Sequence, residues 1–327
     1  MEYILNESAY KTTNGFKINN IKLDLDIPDI TYLNPVDKEF NTKIGLSFNK
    51  YDDYTYEVKN NKTETIEYKD GIGRVININF ILGDDTDNSI HNYEKEFNLI
   101  LKSLDDTKCF SYIKINTNID SKHFKINVIN LLNNKSDSFI AYDNKVDGMG
   151  GLIINHIDLG GHFKVNNVYT ELYDYSFNRI NTIYIGDNNK SDYNYHVKSI
   201  GKETISNIIT EGILKNKAYK QHKGIIDFVE GCKKSEGVEL ENCILLDDES
   251  ISRSSPLLMC HEEDVEGSHG VSTGKIDKEK LFYLMSRGLS ESEANKLIIL
   301  ANFNKIIDNI TNQDIKDIIY NYINQVI

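Results

Sequence analysis

Phe124-Lys125-Ile126-Asn127-Val128 alternates apolar and polar side chains, the period-two pattern that turns one side of an extended segment into a core. Shortly after it comes Asn133-Asn134-Lys135-Ser136-Asp137, a run of residues that tolerate left-handed backbone or bond their own main chain. The same unit of strand then turn recurs outward from this point. Tyr54-Thr55-Tyr56-Glu57-Val58 and Ile76-Asn77-Ile78-Asn79-Phe80 alternate in the same way, and Asp84-Asp85-Thr86-Asp87-Asn88 and Gly186-Asp187-Asn188-Asn189-Lys190-Ser191-Asp192 are turn clusters. From about residue 50 to residue 270 the chain therefore reads as mainly β, in many short strands. A sandwich, a barrel and a β-helix all bury alternate side chains, so periodicity leaves the three open, and no fixed-length repeat separates them.

Two regions depart from this pattern. Between Ser89 and Ser103 the residues Tyr93, Phe97, Ile100, Leu101 and Leu104 recur at helical spacing, which predicts a short helix interrupting the strands. The last fifty or so residues predict three helices. Asp277 caps the first, which runs from Lys278 towards Arg287 and stops at Gly288. Ser290-Glu291-Ser292-Glu293 is a capping box opening the second, through Leu297, Ile298, Ala301 and Ile306. Thr311 or Asn312 starts the third, with Ile315, Ile318, Ile319, Tyr322 and Ile323 on one stripe. A stripe of that breadth packs on its own domain or docks a partner. The expected organisation is an N-terminal segment (1–50), a β core (51–276) and a C-terminal helical domain (277–327).

The 327 residues carry 37 Lys+Arg against 50 Asp+Glu, a formal charge of -13. Such a surface repels a phosphate backbone, so nucleic acid is not an expected partner. No basic run precedes an apolar one at the N-terminus, and no long apolar span occurs, which predicts a cytoplasmic chain without a membrane partner. Cys109, Cys232, Cys243 and Cys260 are scattered without a CxxC pair, the usage of a reducing compartment rather than of a disulfide framework or zinc ribbon. Gly148-Met149-Gly150-Gly151 and Gly160-Gly161 lack the Lys-Ser/Thr ending of a phosphate loop and read as turns.

The segment from Ser255-Pro256-Leu257-Leu258-Met259-Cys260 through Asp264-Val265-Glu266-Gly267-Ser268-His269-Gly270-Val271-Ser272-Thr273-Gly274-Lys275-Ile276-Asp277 resembles the C-terminal signature of the SufB/SufD family of iron-sulfur cluster assembly proteins. The likeness continues through Leu281-Phe282-Tyr283-Leu284-Met285-Ser286-Arg287-Gly288-Leu289-Ser290, and upstream Gly224-Ile225-Ile226-Asp227-Phe228 and Leu245-Leu246-Asp247-Asp248 are similar to late strands of that family. Tyr10-Lys11-Thr12-Thr13-Asn14-Gly15-Phe16-Lys17-Ile18-Asn19 resembles an N-terminal phrase of its short members. The resemblance implies a right-handed parallel β-helix with a helical tail. It also implies a second SufB/SufD-type subunit, or a second copy of this chain, paired through the β-helix, and the ATPase SufC docked on the tail. In that scheme the chain is a scaffold and not an enzyme. A nascent iron-sulfur cluster is its cargo, a sulfur donor is a further partner, and ATP acts only through the ATPase. The docking residues implied are Leu281, Phe282, Tyr283 and Arg287.

For the cluster itself the resemblance singles out His269, which falls where SufD-type members carry a histidine at the assembly interface. Imidazole is a suitable iron ligand; the alternative is a histidine bonding a turn. Where SufB-type members carry a glutamate after that histidine this chain has Gly270, and the cysteine of SufB-type members falls near Glu241, with Cys243 two residues on and on the same strand face. Cys243 is thus either a thiolate ligand or a small buried hydrophobe. The pattern is closer to SufD than to SufB. Cys260-His261-Glu262-Glu263-Asp264 holds metal-ligand types in sequence, but alternate residues of a strand face opposite ways, so its neighbours are not expected to converge on one ion. Two other functions compete with the scaffold: a paralogue that binds the ATPase and assembles no cluster, and a β-helical carbohydrate-active protein, which needs two carboxylates in a groove.

Overall fold

The computed structural model describes residues 2–4, 22–24, 52–82 and 94–327. The N-terminal Thr/Asn phrase at Tyr10–Asn19 and the turn cluster at 84–88 lie outside the described residues. A short antiparallel pair, β1 (Glu2–Ile4) and β2 (Lys22–Asp24), precedes the main body.

That body is a parallel β-helix, two strands to each coil. One eight-stranded sheet contains β3 (Asp52–Val58), β5 (Gly73–Leu82), β7 (Phe110–Asp120), β9 (Asp137–Asp147), β11 (Phe163–Leu172), β13 (Lys190–Ser199), β15 (Tyr219–Phe228) and β17 (Ile251–Cys260). The facing sheet contains β4 (Lys62–Tyr68), β6 (Glu94–Ser103), β8 (His123–Leu131), β10 (Gly151–Asp158), β12 (Phe177–Asp187), β14 (Ile205–Lys215), β16 (Ser235–Leu245) and β18 (Val265–Gly274). Each strand pairs in parallel with the strand two places along the chain, so equivalent residues stack in straight columns. Phe97, Ile126, Ile154, Ile180 and Ile208 form one inward column, and it lies in the main core. Gly148 to Gly150 join β9 to β10 and Gly160 and Gly161 join β10 to β11, as expected, whereas Gly151, expected in the turn, is the first paired residue of β10.

Beside the Asn127 position the polar half of the alternation is not solvated. Asn127 is fully buried on the outer face, where it donates to Asn98 at 2.7 Å, receives from Asn155 at 2.7 Å, and Asn181 donates to Asn155 at 2.8 Å. An amide ladder of this kind satisfies each buried carboxamide by the next coil.

The helix expected over Ser89–Ser103 is not formed in its described part. Residues 94–103 are strand β6, paired with β4 and β8, and residues 89–93 lie outside the described residues. Phe97, Leu99 and Leu101 face the main core while Ile100 faces a second one. A strand buried on both faces loses its alternation, and its apolar run then matches helical spacing by accident.

The second core explains the tail. Helix α1 (Lys278–Ser286) is capped by Asp277 and ends at Gly288 (φ 102°); α2 (Glu291–Ile307) opens with the Ser290–Glu293 capping box; α3 (Gln313–Val326) is capped by Asn312. Helices α2 and α3 lie on the outer face of the β4–β18 sheet. Ile299, Phe303, Ile306, Ile315, Ile319 and Ile323 cover a column of isoleucines at positions 100, 129, 157 and 183. Polar contacts fix the same seating. Lys305 reaches buried Glu211 at 3.1 Å, Thr311 donates to buried Glu96, and Lys215 donates to the carbonyl of Val326 at 2.8 Å. Helix α1 has no buried residue.

Candidate functional site

At the C-terminal end of the β-helix the inward columns change character. The isoleucine column continues as Glu239 and then His269, and the next column runs from Thr210 to Glu241 and Val271. The third runs from Tyr184 through Gly212 to Cys243 and Thr273. Lys220 and His222 enter from β15 in the facing sheet, at the inward positions of that strand.

These groups form one buried ionic cluster. Lys220 and Glu241, both fully enclosed, are ion-paired, and Lys220 also donates to Ser254 Oγ at 3.1 Å. Nδ1 of His222 is 3.2 Å from Glu241 Oε2 and 3.7 Å from Glu239 Oε1, and its Nε2 is 3.3 Å from Thr210 Oγ1. Burial pushes the Glu241 carboxyl up, but His222 and Lys220 together outweigh it and hold it at about 2. Glu239 stands further from His222 than Glu241 does, and Lys220 pairs with Glu241 instead. Burial carries Glu239 up to about 7, with His222 opposing and Glu241 reinforcing the rise. Burial likewise pushes the Cys243 thiol up, which keeps it protonated near neutral pH.

Two glycines make the space. A Cβ on Gly224 would collide with Glu239 Oε1, and one on Gly212 would collide with the Tyr184 ring. The Glu239 carboxyl crosses the interior only because Gly224 is bare, and Tyr184 reaches the neighbourhood of Cys243 only because Gly212 is.

Glu241 and Cys243 face the same interior, but Glu241 is already ion-paired. His269 lies one coil further on, exposed, in register with Glu239. Cys243 is in register with Thr273, so His269 and Cys243 are four residues apart along the strands, roughly 13 Å, and no single ion in this chain touches both. Among the described residues no group of three or more His, Cys, Asp or Glu side chains has a metal-holding arrangement. On α1, Leu281 is half-buried, while Phe282 (74% exposed) and Tyr283 face solvent and Arg287 stacks on the Tyr283 ring at 5.3 Å. Lys220, His222 and Glu239 escaped the sequence reading. Their signal was a charged residue at the inward parity of an otherwise apolar strand, as in Lys220, His222, Gly224 and Ile226.

A second polar group lies deeper. Asp158 accepts from Tyr193 at 2.6 Å and from Asn130 at 2.7 Å, with Lys164 at 3.7 Å, and His156 Nδ1 meets the Tyr142 hydroxyl at 3.1 Å. Burial pushes His156 down to about 4. In the unfolded chain an imidazole titrates near 6.5, so between those values the unfolded state binds more protons and stability falls as pH is lowered from about 6.5 towards 4. Between pH 7 and pH 5 the wild type should lose about 2 kcal/mol that His156→Gln keeps. Urea unfolding of both proteins at the two pH values measures this, and parallel losses would refute it.

The described residues are thus a parallel β-helix with a polar, exposed last coil and a tail whose first helix buries no residue. Residues 107–302 match the family model described as "SUF system FeS cluster assembly, SufBD core domain". The chain belongs to the SufBD family. It is 26% identical over 149 residues to the iron-sulfur cluster assembly protein SufD of Bacillus subtilis, covering 45% of this chain and 34% of that protein. It is 33% identical over 97 residues to a SufBD family protein of Staphylococcus haemolyticus (30% and 21% of the two chains), and 26% identical over 120 residues to one of Mycobacterium tuberculosis strain H37Rv (37% and 14%). The aligned part is thus about a third or less of each relative's length. No helix among the described residues is long and apolar enough to cross a membrane.

Proposed function

We propose that this chain is a scaffold subunit of an iron-sulfur cluster assembly complex, joined to a second SufB/SufD-type subunit at its last coil and to a SufC-type ATPase through α1. The observation that carries the reading is the placement of His269. An imidazole is presented on the terminal strand of the β-helix, in a family whose core domain serves cluster assembly, with too few ligands beside it to hold iron alone. Strands β17 and β18 each pair on one side only, and Leu257, Met259 and Val271 are exposed there. An unpaired edge with exposed apolar side chains favours a second chain that supplies the remaining ligands. Cluster atoms are cargo in this reading, and the chain breaks no covalent bond.

A second reading has its own support. Glu241 is neutralised by Lys220 and the Cys243 thiol is buried, as suits a paralogue that binds the ATPase and holds no cluster.

Co-expression with the SufC-type ATPase and the SufB-type subunit of the same source, followed by anaerobic purification and iron and sulfide analysis, separates the two. The scaffold reading expects bound iron and sulfide to fall about tenfold or more in His269→Ala, and little in Cys243→Ala. A stable complex that never holds iron selects the paralogue. The double variant Phe282→Ala, Tyr283→Ala should leave stability within about 0.5 kcal/mol of wild type, because both side chains are exposed. It should also weaken ATPase binding at least about 30-fold, the loss of one interface hot spot. Unchanged ATPase affinity would remove α1 from the interface.

A further inference from the structure

In the buried cluster at the C-terminal end the donors and acceptors do not balance. Lys220 and His222 on β15 both serve Glu241, which is ion-paired with Lys220 and has its Oε2 3.2 Å from His222 Nδ1. Glu239 is fully enclosed, and neither of its oxygens has a hydrogen-bond partner among the described residues. Its Oε1 lies 3.7 Å from His222 Nδ1, beyond hydrogen-bond reach. The backbone N–H of Leu257 on β17 acts on it from the facing sheet without meeting hydrogen-bond geometry. None of the remaining groups bonds it: Thr210 on β14 is 3.3 Å from His222 Nε2, Tyr195 on β13 meets the His222 ring edge-on at 5.3 Å, Cys243 is buried on β16, and His269 stands in register on β18, exposed. A carboxylate stripped of both water and donors is strongly disfavoured against its neutral acid.

We propose that Glu239 is a proton-operated latch for the end of the β-helix: as the neutral acid it is sealed beneath the last coil, and release of its proton is coupled to the loosening of β17 and β18. The carboxyl crosses from β16 to lie over Gly224 of β15, and in the next coil Pro256 and His269 stand in register with those two positions. Strands β17 and β18 each pair on one side only, so they are the strands whose opening admits water to it. With the end closed Glu239 titrates at about 7; with it open, water returns the carboxyl to its ordinary 4.5. Between those values the closed form holds a proton that the open form has lost. Opening therefore becomes easier as pH rises from about 4.5 to about 7, and levels off above. His156 is shifted the other way, but it lies on β10, well away from this end. A chain paired with the free edges of β17 and β18 holds the closed form, so pH tunes how readily those edges are offered. The latch works in the chain by itself and does not depend on the cluster reading.

The test is amide hydrogen exchange of the full chain, followed by mass spectrometry in peptides from 251–274 and, as an internal reference, from 137–172. Rates are corrected for the intrinsic pH dependence of exchange. Between about pH 5 and pH 7 the opening of 251–274 should rise about 30-fold in wild type beyond any rise in Glu239→Gln, while the reference peptides behave alike in both proteins. Glutamine keeps the shape of the neutral acid and has no carboxyl proton to lose, and its urea midpoint shows whether the variant is folded. Should it not be, wild type decides alone: with 13C-labelled glutamate, one side-chain carboxyl resonance should titrate near 7. An equal rise in wild type and folded variant, or the absence of any glutamate carboxyl titrating near 7, overturns the proposal.

Discussion

Replacing Glu241 with alanine should destabilise the β-helix by about 3–5 kcal/mol, the usual cost of leaving one half of a buried ion pair alone. Lys220 is fully buried, and after the substitution its ammonium keeps only the Ser254 hydroxyl at 3.1 Å and the Tyr184 ring at 5.6 Å. His222 loses its nearer carboxylate at the same time, leaving Glu239 at 3.7 Å. The pair itself is not a source of net stability, because desolvating two charges offsets most of their attraction. The double variant Lys220→Met, Glu241→Leu should therefore recover most of the loss. Urea unfolding with an unchanged slope reads both effects as shifts of the midpoint. A Glu241→Ala loss below about 1 kcal/mol would mean that water reaches Lys220 and that the cluster is not sealed.

Strand identity was legible because Ile76, Ile78 and Phe80, or Phe124, Ile126 and Val128, alternate within five residues. The choice of a β-helix over a sandwich was not legible from periodicity, since it depends on which strands stack. The column Ile126, Ile154, Ile180, Ile208, Glu239 has unequal spacings in the chain, so no fixed repeat marks it; the resemblance of the 255–290 segment supplied the architecture instead. Local chemistry was legible almost to the residue: Asp277 and Ser290 cap the helices they precede, and of Thr311 and Asn312 the second is the cap of the last helix, because a cap needs only its own next three residues. Two-sided burial misled the reading at β6. It also hid Asn127, whose polar side chain belongs to a buried ladder and not to water. In the site, Glu241, Cys243 and His269 were found by motif position, whereas Lys220, His222 and Glu239 come together only through folding from two strands on opposite sheets.

The tail makes the second large prediction, because its placement decides whether it unfolds alone. Phe303 is 1% exposed and packs within the cluster that joins α2 and α3 to Ile129, Ile157 and Ile183 of the β-helix. Phe303→Ala should cost about 3–5 kcal/mol, the transfer free energy of the ring plus the cavity it leaves. A tail held only by its own helices would melt separately, giving two transitions and early proteolytic loss of residues beyond 277. This tail is tied to well-separated coils, through Glu96 on β6 and through Glu211 and Lys215 on β14, and its isoleucines complete a core whose other half is the sheet. Removing the ring should then lower one cooperative transition for tail and β-helix together, with helix and sheet signals in circular dichroism moving in step. The same seating leaves α1 outside the shared core, so Phe303→Ala should lower the melting temperature while the ATPase affinity proposed for α1, measured well below that temperature, stays near wild type. If instead the helical signal melts first and the sheet midpoint does not move, the tail is an independent unit, and the outer isoleucine column contributes nothing to the stability of the β-helix.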